Sequence, residues 1–260
     1  MKVVILCGGR GTRLREETEF RPKPMVPIGG RPILWHIMKT YAHYGHREFV
    51  LCLGYKGDMI REYFRNYLWN TCDTTMLLGE DPSVQFHDMH AEADWSVTLA
   101  DTGEESKTAY RVRSVRKYLA PGEDFLLTYG DGLSDIEVNR SIESHKAAKK
   151  ACTIAAVHPA GRFGQLRIEE DGSILHFQEK PQMEEAYVNG GYMVCSESIF
   201  NYLPDDPERM LEMSPMDDMV RDNQLNAYRH EGFWQPMDTY QETQYLNRIW
   251  SEGKAPWKVW

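Results

Sequence analysis

Cysteine is scarce and unordered in this chain: Cys7, Cys52, Cys72, Cys152 and Cys195 contain no C-x-x-C pair. An odd count without spacing argues against a disulfide framework and for a reducing, cytoplasmic location. Four of these residues sit in apolar runs and read as small buried hydrophobes. The nine histidines show no H-E-x-x-H or comparable spacing, which argues against zinc. No apolar run reaches membrane-spanning length, so no membrane partner is expected. Met1-Lys2-Val3-Val4 leads straight into a strand, where no signal peptide fits. Positive charge is in deficit, 30 Lys and Arg against 39 Asp and Glu, for a net charge of −9. That argues against nucleic acid, which needs a basic face. It leaves nucleotides open, because a local cluster such as Arg10, Arg13 and Lys23 is enough, and acidic residues suit a divalent metal held between protein and phosphate. Internal repeats and low-complexity linkers are absent.

With 260 residues, 42% of them apolar, the chain can bury one large core. Strand and helix patterns alternate through the first half. Strands are expected over Val3–Cys7, Phe49–Leu53, Asp124–Thr128 and Cys152–Val157. Helices are expected over Pro32–Tyr44, Asp58–Tyr67 and Glu137–Lys149, and a further one puts Val112, Val115 and Leu119 on one face. Such alternation predicts an α/β fold with a doubly wound, mostly parallel sheet. Residues 70–95 lack clean periodicity and read as an excursion from the sheet. The second half is richer in short strands: Gln165–Ile168, Ile174–Gln178 and Val188–Val194, with Asp171-Gly172 as a hairpin turn and an amphipathic helix over Tyr240–Trp250. The reading is a single domain over residues 1–260, with a first half (1–132) and a strand-rich, lid-like second half with the C-terminal helix (133–260).

The first buried strand empties into Gly8-Gly9-Arg10-Gly11-Thr12-Arg13-Leu14, and Pro22-Lys23-Pro24 follows. Glycines let backbone N–H groups approach an anion, and arginine and lysine supply the charge a polyphosphate needs. The dinucleotide fingerprint requires a third glycine where Leu14 stands. The P-loop requires a lysine and then Ser/Thr directly after its last glycine, where Thr12 and Arg13 stand instead. The plain alternative is an ordinary glycine-rich strand–loop turn; Lys23 between two prolines weighs against it.

This arrangement resembles the triphosphate loop of the sugar-1-phosphate nucleotidyltransferases, G-G-x-G-T-R-L followed by P-K-P. Further segments resemble the family in order: Thr128-Tyr129-Gly130-Asp131-Gly132, Pro159 to Gly164, Phe177-Gln178-Glu179-Lys180-Pro181, Asn189-Gly190-Gly191 and Phe233 to Thr239. With Ile33 to Met38, Gly54-Tyr55-Lys56-Gly57 and Gly253 to Lys258, they resemble its glucose-1-phosphate cytidylyltransferase branch over nearly the whole chain. The resemblance implies a Rossmann-like nucleotidyltransferase fold and transfer of a cytidylyl group from CTP to glucose 1-phosphate. The rival readings are the same chemistry with UTP, dTTP or another phosphorylated acceptor, a non-catalytic nucleotide sensor, and a nicotinamide-dependent oxidoreductase, which the missing third glycine disfavours.

The residues expected at the site follow from both lines. Leu6, Gly8, Gly9, Gly11, Thr12, Arg13, Lys23, Thr102, Gly103, Arg111, Tyr129 and Asp131 are the candidate nucleotide-binding set. Arg13, Lys23 and Lys180 are the candidate catalytic cations. The resemblance implies that Asp131 ligates magnesium, with Asp238 as second ligand; the plain alternatives are a turn aspartate and a helix N-cap. Gly164, Glu179, Lys180, Asn189, Gly190 and Gly191 are the candidate sugar-binding set, against a surface Glu–Lys pair and a β-bulge. Where the family shows Thr-Gly-Gly-Arg, this chain has Thr108-Ala109-Tyr110-Arg111. Mg²⁺ is the expected cofactor and CTP and a sugar 1-phosphate the expected small-molecule partners. A homo-oligomer is the expected assembly, with the seven tryptophans in core or interface.

Overall fold

A computed structural model of the chain describes residues 1–88, 91–159, 165–169, 173–178 and 186–260. Its centre is a seven-stranded sheet. Six strands run parallel: β1 (Val3–Leu6), β2 (Glu48–Leu53), β3 (Ser96–Asp101), β4 (Phe125–Tyr129), β6 (Cys152–Val157) and β8 (Leu225–His230). The seventh, β7 (Val188–Cys195), runs against its neighbours β4 and β6. The order across the sheet is β8-β6-β7-β4-β1-β2-β3. A separate two-stranded ladder joins β5 (Gly132–Ser134) to β9 (Trp234–Pro236).

The pleat explains why the strands read as continuous apolar runs. Successive side chains point to opposite faces, and both faces are covered. Val3, Ile5, Phe49 and Leu51 enter one core with helix α1 (Ile33–His43). Val4, Leu6, Val50 and Leu127 enter a second core with α3 (Thr108–Ser114). A fully buried Val, Leu or Ile is worth about 1.5–3 kcal/mol, so the run Val3 to Leu6, at most 8% exposed, is by itself a strong determinant of the sheet centre.

Among the described residues, the remaining helices of eight residues or more are α2 (Gly57–Arg65), α4 (Val138–Ala148), α5 (Ser214–Arg221) and α6 (Tyr240–Ser251). The expected α/β alternation is what the chain adopts, with differences in detail. The helix expected over Asp58–Tyr67 stops at Arg65, and a separate turn covers Tyr67–Thr71. Val112 and Val115 are buried together as expected, but α3 ends at Ser114 and a 3₁₀ turn, Arg116–Tyr118, carries the chain to Leu119. The aperiodic stretch forms a hairpin of Thr74–Leu77 with Ser83–Phe86, separate from the central sheet. Gln165–Ile168 pairs with Ile174–Gln178, and the Asp171-Gly172 turn lies outside the described residues. Among the described residues no helix is long and apolar enough to cross a membrane.

Candidate active site

The glycine loop sits at the carboxyl end of β1, the edge where open α/β sheets take ligands. Gly11 has φ +62°, a left-handed conformation that a side chain disfavours, and it starts the short turn Thr12–Leu14. That turn buries Leu14 and leaves Thr12 and Arg13 exposed. The Thr18 hydroxyl fastens it from below, within 3.0 Å of the Gly11 carbonyl and 2.9 Å of the Leu14 carbonyl. Gly8 is required for a different reason: a Cβ there would stand 2.1 Å from the Arg111 guanidinium.

Lys23 follows in a 3₁₀ turn, Lys23–Met25, flanked by Pro22 and Pro24, whose rings fix the local backbone. Its ammonium is 2.6 Å from a carboxylate oxygen of Asp131 and 2.6 Å from one of Asp238. The other oxygen of Asp238 is 2.7 Å from Arg13. Residues far apart in sequence are thereby gathered at one point, and the β5–β9 ladder does the gathering. Gly132 pairs with Pro236, and the Met237 amide donates to the Asp131 carbonyl at 2.8 Å. Burial, the largest single influence on Lys23, pulls its pKa down; Asp131 and Asp238 together outweigh it and hold the ammonium above the ordinary lysine value. The lysine therefore stays charged at neutral pH.

The geometry answers only the N-cap alternative for Asp238. Thr239, not Asp238, caps α6: its hydroxyl accepts from the Glu242 amide, and the Glu242 carboxylate accepts from the amides of Asp238 and Thr239. The Asp238 carboxylate is thus left to face the cations. Among the described residues no group of three or more His, Cys, Asp or Glu side chains is placed to hold a metal ion. The available donors are the two carboxylates, hard oxygen ligands converging on one position that a cation, the Lys23 ammonium, now occupies. Such a set fits Mg²⁺, which keeps waters and phosphate oxygens in its remaining positions.

A cleft of about 300 Å³ opens over these groups. Leu6, Gly8, Gly9, Gly11, Thr12, Arg13, Lys23, Arg111, Tyr129 and Asp131 all line it, so ten of the expected nucleotide-binding residues are brought together. Thr102 and Gly103 lie behind its wall. The Thr102 hydroxyl is 2.7 Å from the Leu53 carbonyl, and the Gly103 amide donates to Asp101 at 3.0 Å. Arg111 reaches the cleft while its donors are taken up by the frame. Four of its five N–H groups go to the Leu53 carbonyl at 3.0 Å, the Thr102 hydroxyl at 2.8 Å, and the Gly8 and Glu104 carbonyls at 3.1 Å each. It ties the glycine loop to the ends of β2 and β3. Burial lowers its pKa from the ordinary arginine value, and the charge persists at neutral pH. Cys7, also on the cleft wall, has its thiol pushed well up, first by burial, and is not a nucleophile.

Asn189 to Gly191 lie in β7, where the register against β6 shifts, as the plain alternative of a β-bulge requires. The Asn189 side chain accepts from the Gly191 amide at 2.8 Å, and the Trp234 indole donates to the Gly190 carbonyl at 2.7 Å. Gly164, Glu179 and Lys180 lie outside the described residues. Pro24, Ser106, Lys107, Thr108, Gly130 and Met210 complete the cleft wall with Cys7. Thr108 opens the stretch singled out in sequence and Lys107 adjoins it, whereas Met210 belongs to no motif; only its packing reveals it.

The glycine loop, the paired carboxylates and the buried lysine stand together at the edge of an α/β sheet, and the chain belongs to the nucleotidyl transferase family, whose model matches residues 2–241. It is similar to a protein described as glucose-1-phosphate cytidylyltransferase from Salmonella typhi, 46% identical over 260 residues and covering 100% of both chains. It is also similar to a probable glucose-1-phosphate cytidylyltransferase of Bacillus subtilis strain 168, 42% identical over 261 residues with 100% of both chains covered. Among solved structures, HddC from Yersinia pseudotuberculosis shares the fold with a TM-score of 0.68 at 22% identity, over 96% of this chain and 99% of that one.

Proposed function

We propose that the protein transfers a cytidylyl group from CTP to α-D-glucose 1-phosphate, giving CDP-glucose and pyrophosphate. The observation that carries the reaction class is the convergence of Lys23 and Arg13 on Asp131 and Asp238 beside the glycine loop. The nucleotide and acceptor rest on the full-length similarity to glucose-1-phosphate cytidylyltransferases.

An oxygen of the sugar phosphate attacks the α-phosphorus of the triphosphate in line. A new P–O bond forms, the bond to the β-phosphate oxygen breaks, and pyrophosphate leaves with the electron pair. The attacking phosphate monoester is already anionic, so the step needs no strong general base. In keeping with this, the described lining residues include no histidine, and the Cys7 thiol is held protonated. Catalysis is then positioning and charge neutralisation. Arg13 and Lys23 stabilise the triphosphate and the leaving pyrophosphate. Lys180 and Glu179, with Asn189, Gly190, Gly191 and Gly164, hold the acceptor. Asp131 and Asp238 would hold Mg²⁺, which would supply charge neutralisation on the phosphates. The nucleotide half extends to about residue 132 and the acceptor half follows it.

A cytoplasmic homo-oligomer completes the reading. Its support is the set of free cysteines, Cys7, Cys52, Cys72, Cys152 and Cys195, and the exposed apolar surface of Trp69, Met76, Leu77 and Leu78. The direct test is pyrophosphate release with glucose 1-phosphate and each common nucleoside triphosphate. Release that requires CTP supports the assignment; release with UTP or dTTP alone overturns the base, and none with any of them overturns the acceptor.

A further inference from the structure

Glu212 belongs to none of the sequence motifs, yet both its oxygens are engaged on the cleft wall. One accepts from the Thr108 hydroxyl at 2.6 Å, and the other accepts a short hydrogen bond from the Tyr129 hydroxyl. Thr108 and Tyr129 both line the cleft, from different elements. Thr108 opens α3, and Tyr129 ends β4, two residues before Asp131. The segment carrying Glu212 is itself fastened to the start of α3. The amides of Lys107 and Ala109 donate to the carbonyls of Pro207 and Arg209 at 2.8 and 3.2 Å, and the Leu211 amide donates to the Thr108 hydroxyl at 2.8 Å. These contacts occupy N–H groups that a helix start leaves without intrahelical partners.

Tyr129 continues the connection to the acceptor side. Its ring lies against Gly191 so closely that a Cβ there would stand 2.4 Å from the ring edge. Gly191 is in turn held by Asn189. A chain of direct contacts therefore runs Thr108–Glu212–Tyr129–Gly191–Asn189, from the nucleotide wall to the acceptor wall, with Glu212 as the hinge piece.

We propose that Glu212 is a positioning residue that couples the nucleotide subsite to the acceptor subsite through the Tyr129 hydroxyl. The inference rests on the cytidylyltransferase reading for the identity of the two ligands. When nucleotide settles against Thr108, the Glu212 carboxylate fixes Tyr129, and Tyr129 fixes the glycine pair that meets the acceptor. The carboxylate is suited to this because it takes two hydroxyl donors at once.

The test is calorimetric binding of glucose 1-phosphate to the full chain with Mg²⁺, with and without a non-hydrolysable CTP analogue. In the wild type the analogue tightens acceptor binding about fivefold or more, at the lower end of coupling between linked sites. In Glu212→Ala and in Tyr129→Phe the ratio falls to near one, and the double variant is no worse than either single. Glu212→Gln, which retains one acceptor oxygen, keeps an intermediate ratio. A wild-type ratio of one overturns the inference. So does a Glu212→Ala or Tyr129→Phe protein with lower melting temperature but undiminished ratio, the signature of a merely structural role; Tyr129→Phe keeps the question decidable if Glu212→Ala does not fold. Failure of the wild type to bind either ligand overturns the functional reading itself, and is distinguished from loss of coupling between two ligands that bind.

Discussion

Lys23 and His36 are both basic side chains shut away from solvent, on different parts of the molecule, and they meet opposite fates. Lys23, 7% exposed, stands between Asp131 and Asp238 in the cleft and keeps its charge. His36 is fully buried under the C-terminal tryptophans and loses its charge. Its neighbours are aromatic rings, Trp250 at 4.6 Å and Trp35 at 5.0 Å between centroids. Its polar partners are the Ile28 carbonyl at 2.8 Å from Nε2 and the Trp257 indole, which donates to Nδ1 at 3.3 Å. Those roles assign the proton to Nε2. Burial, the largest cause, brings the His36 pKa down to about 4, against the pull of the Ile28 carbonyl. Burial opposes charge in both places. The decisive variable is the partner: two carboxylates keep an ammonium, while one carbonyl and one indole suit a neutral ring. The cleft thus stores charge for a ligand, and the aromatic cap stores none.

Removing a carboxylate breaks the cleft side of this contrast most severely. Asp131→Asn and Asp238→Asn are each expected to abolish turnover with the fold intact. Loss of a metal-ligand charge removes several kcal/mol of stabilisation, and Lys23 is left buried with a single carboxylate. Pyrophosphate release at saturating Mg²⁺, alongside a melting curve, checks this. Near-normal rates in either variant would remove that residue from the metal site.

Next in size is removal of a cation. Lys23→Ala is expected to weaken use of the triphosphate and Lys180→Ala use of the sugar phosphate, each by roughly 10²–10³-fold, the scale of a lost charge-stabilising donor. Steady-state kinetics varying one substrate at a time separates them. Equal damage to both substrates from both variants contradicts the division of roles.

How much of this was legible in sequence follows from the range of the interactions. The glycine loop, β1 and the helix after Pro32 are local patterns, and they fold as their spacing predicts. The Lys23–Asp131–Asp238 cluster was legible as a set of residues but not as an ion-paired group. It depends on Gly132 to Ser134 pairing with Trp234 to Pro236, a contact across about a hundred residues that no local periodicity encodes. The Arg111 anchor, Met210 and Glu212 were hidden for the same reason. Strand β8 escaped notice because its residues, including Asn226 and Arg229, are largely half-exposed and polar at an edge of the sheet. Helix α5 is short and buries only Pro215 and Met219.

The aromatic cap can be broken by acid. His36 has a folded pKa of about 4, below the ordinary 6.5 of the unfolded chain, so the unfolded state binds the extra proton between those values. Stability is therefore full above pH 6.5, falls as pH drops toward 4, and loses roughly 3 kcal/mol from this group. His46, also held down to about 4 by partial burial, titrates in the same window. The measurement is therefore the difference in slope between wild type and His36→Gln in chemical denaturation from pH 7 to 4. The variant is less stable at neutral pH but flatter toward acid. Parallel slopes would mean that His36 titrates alike in the folded and unfolded protein.

The smallest expected effect is the choice of base, and it sharpens the cleft side. CTP is expected to be preferred over UTP by about tenfold or more, equivalent to roughly 1.4 kcal/mol. Cytosine and uracil differ at the N4 amine versus O4 and at N3, and one mispaired buried polar group costs about 1–3 kcal/mol. The departure at Ala109-Tyr110 does not close the pocket. Ala109 is fully buried in the core beneath α3, and the cleft is lined instead by Ser106, Lys107, Thr108 and Arg111. On the proposed reading, discrimination is expected from the loop before α3 and from the backbone that Arg111 holds in place. Equal pyrophosphate release from CTP and UTP sinks the cytidylyl assignment. Tight CTP binding without turnover of glucose 1-phosphate keeps the base and rejects the acceptor.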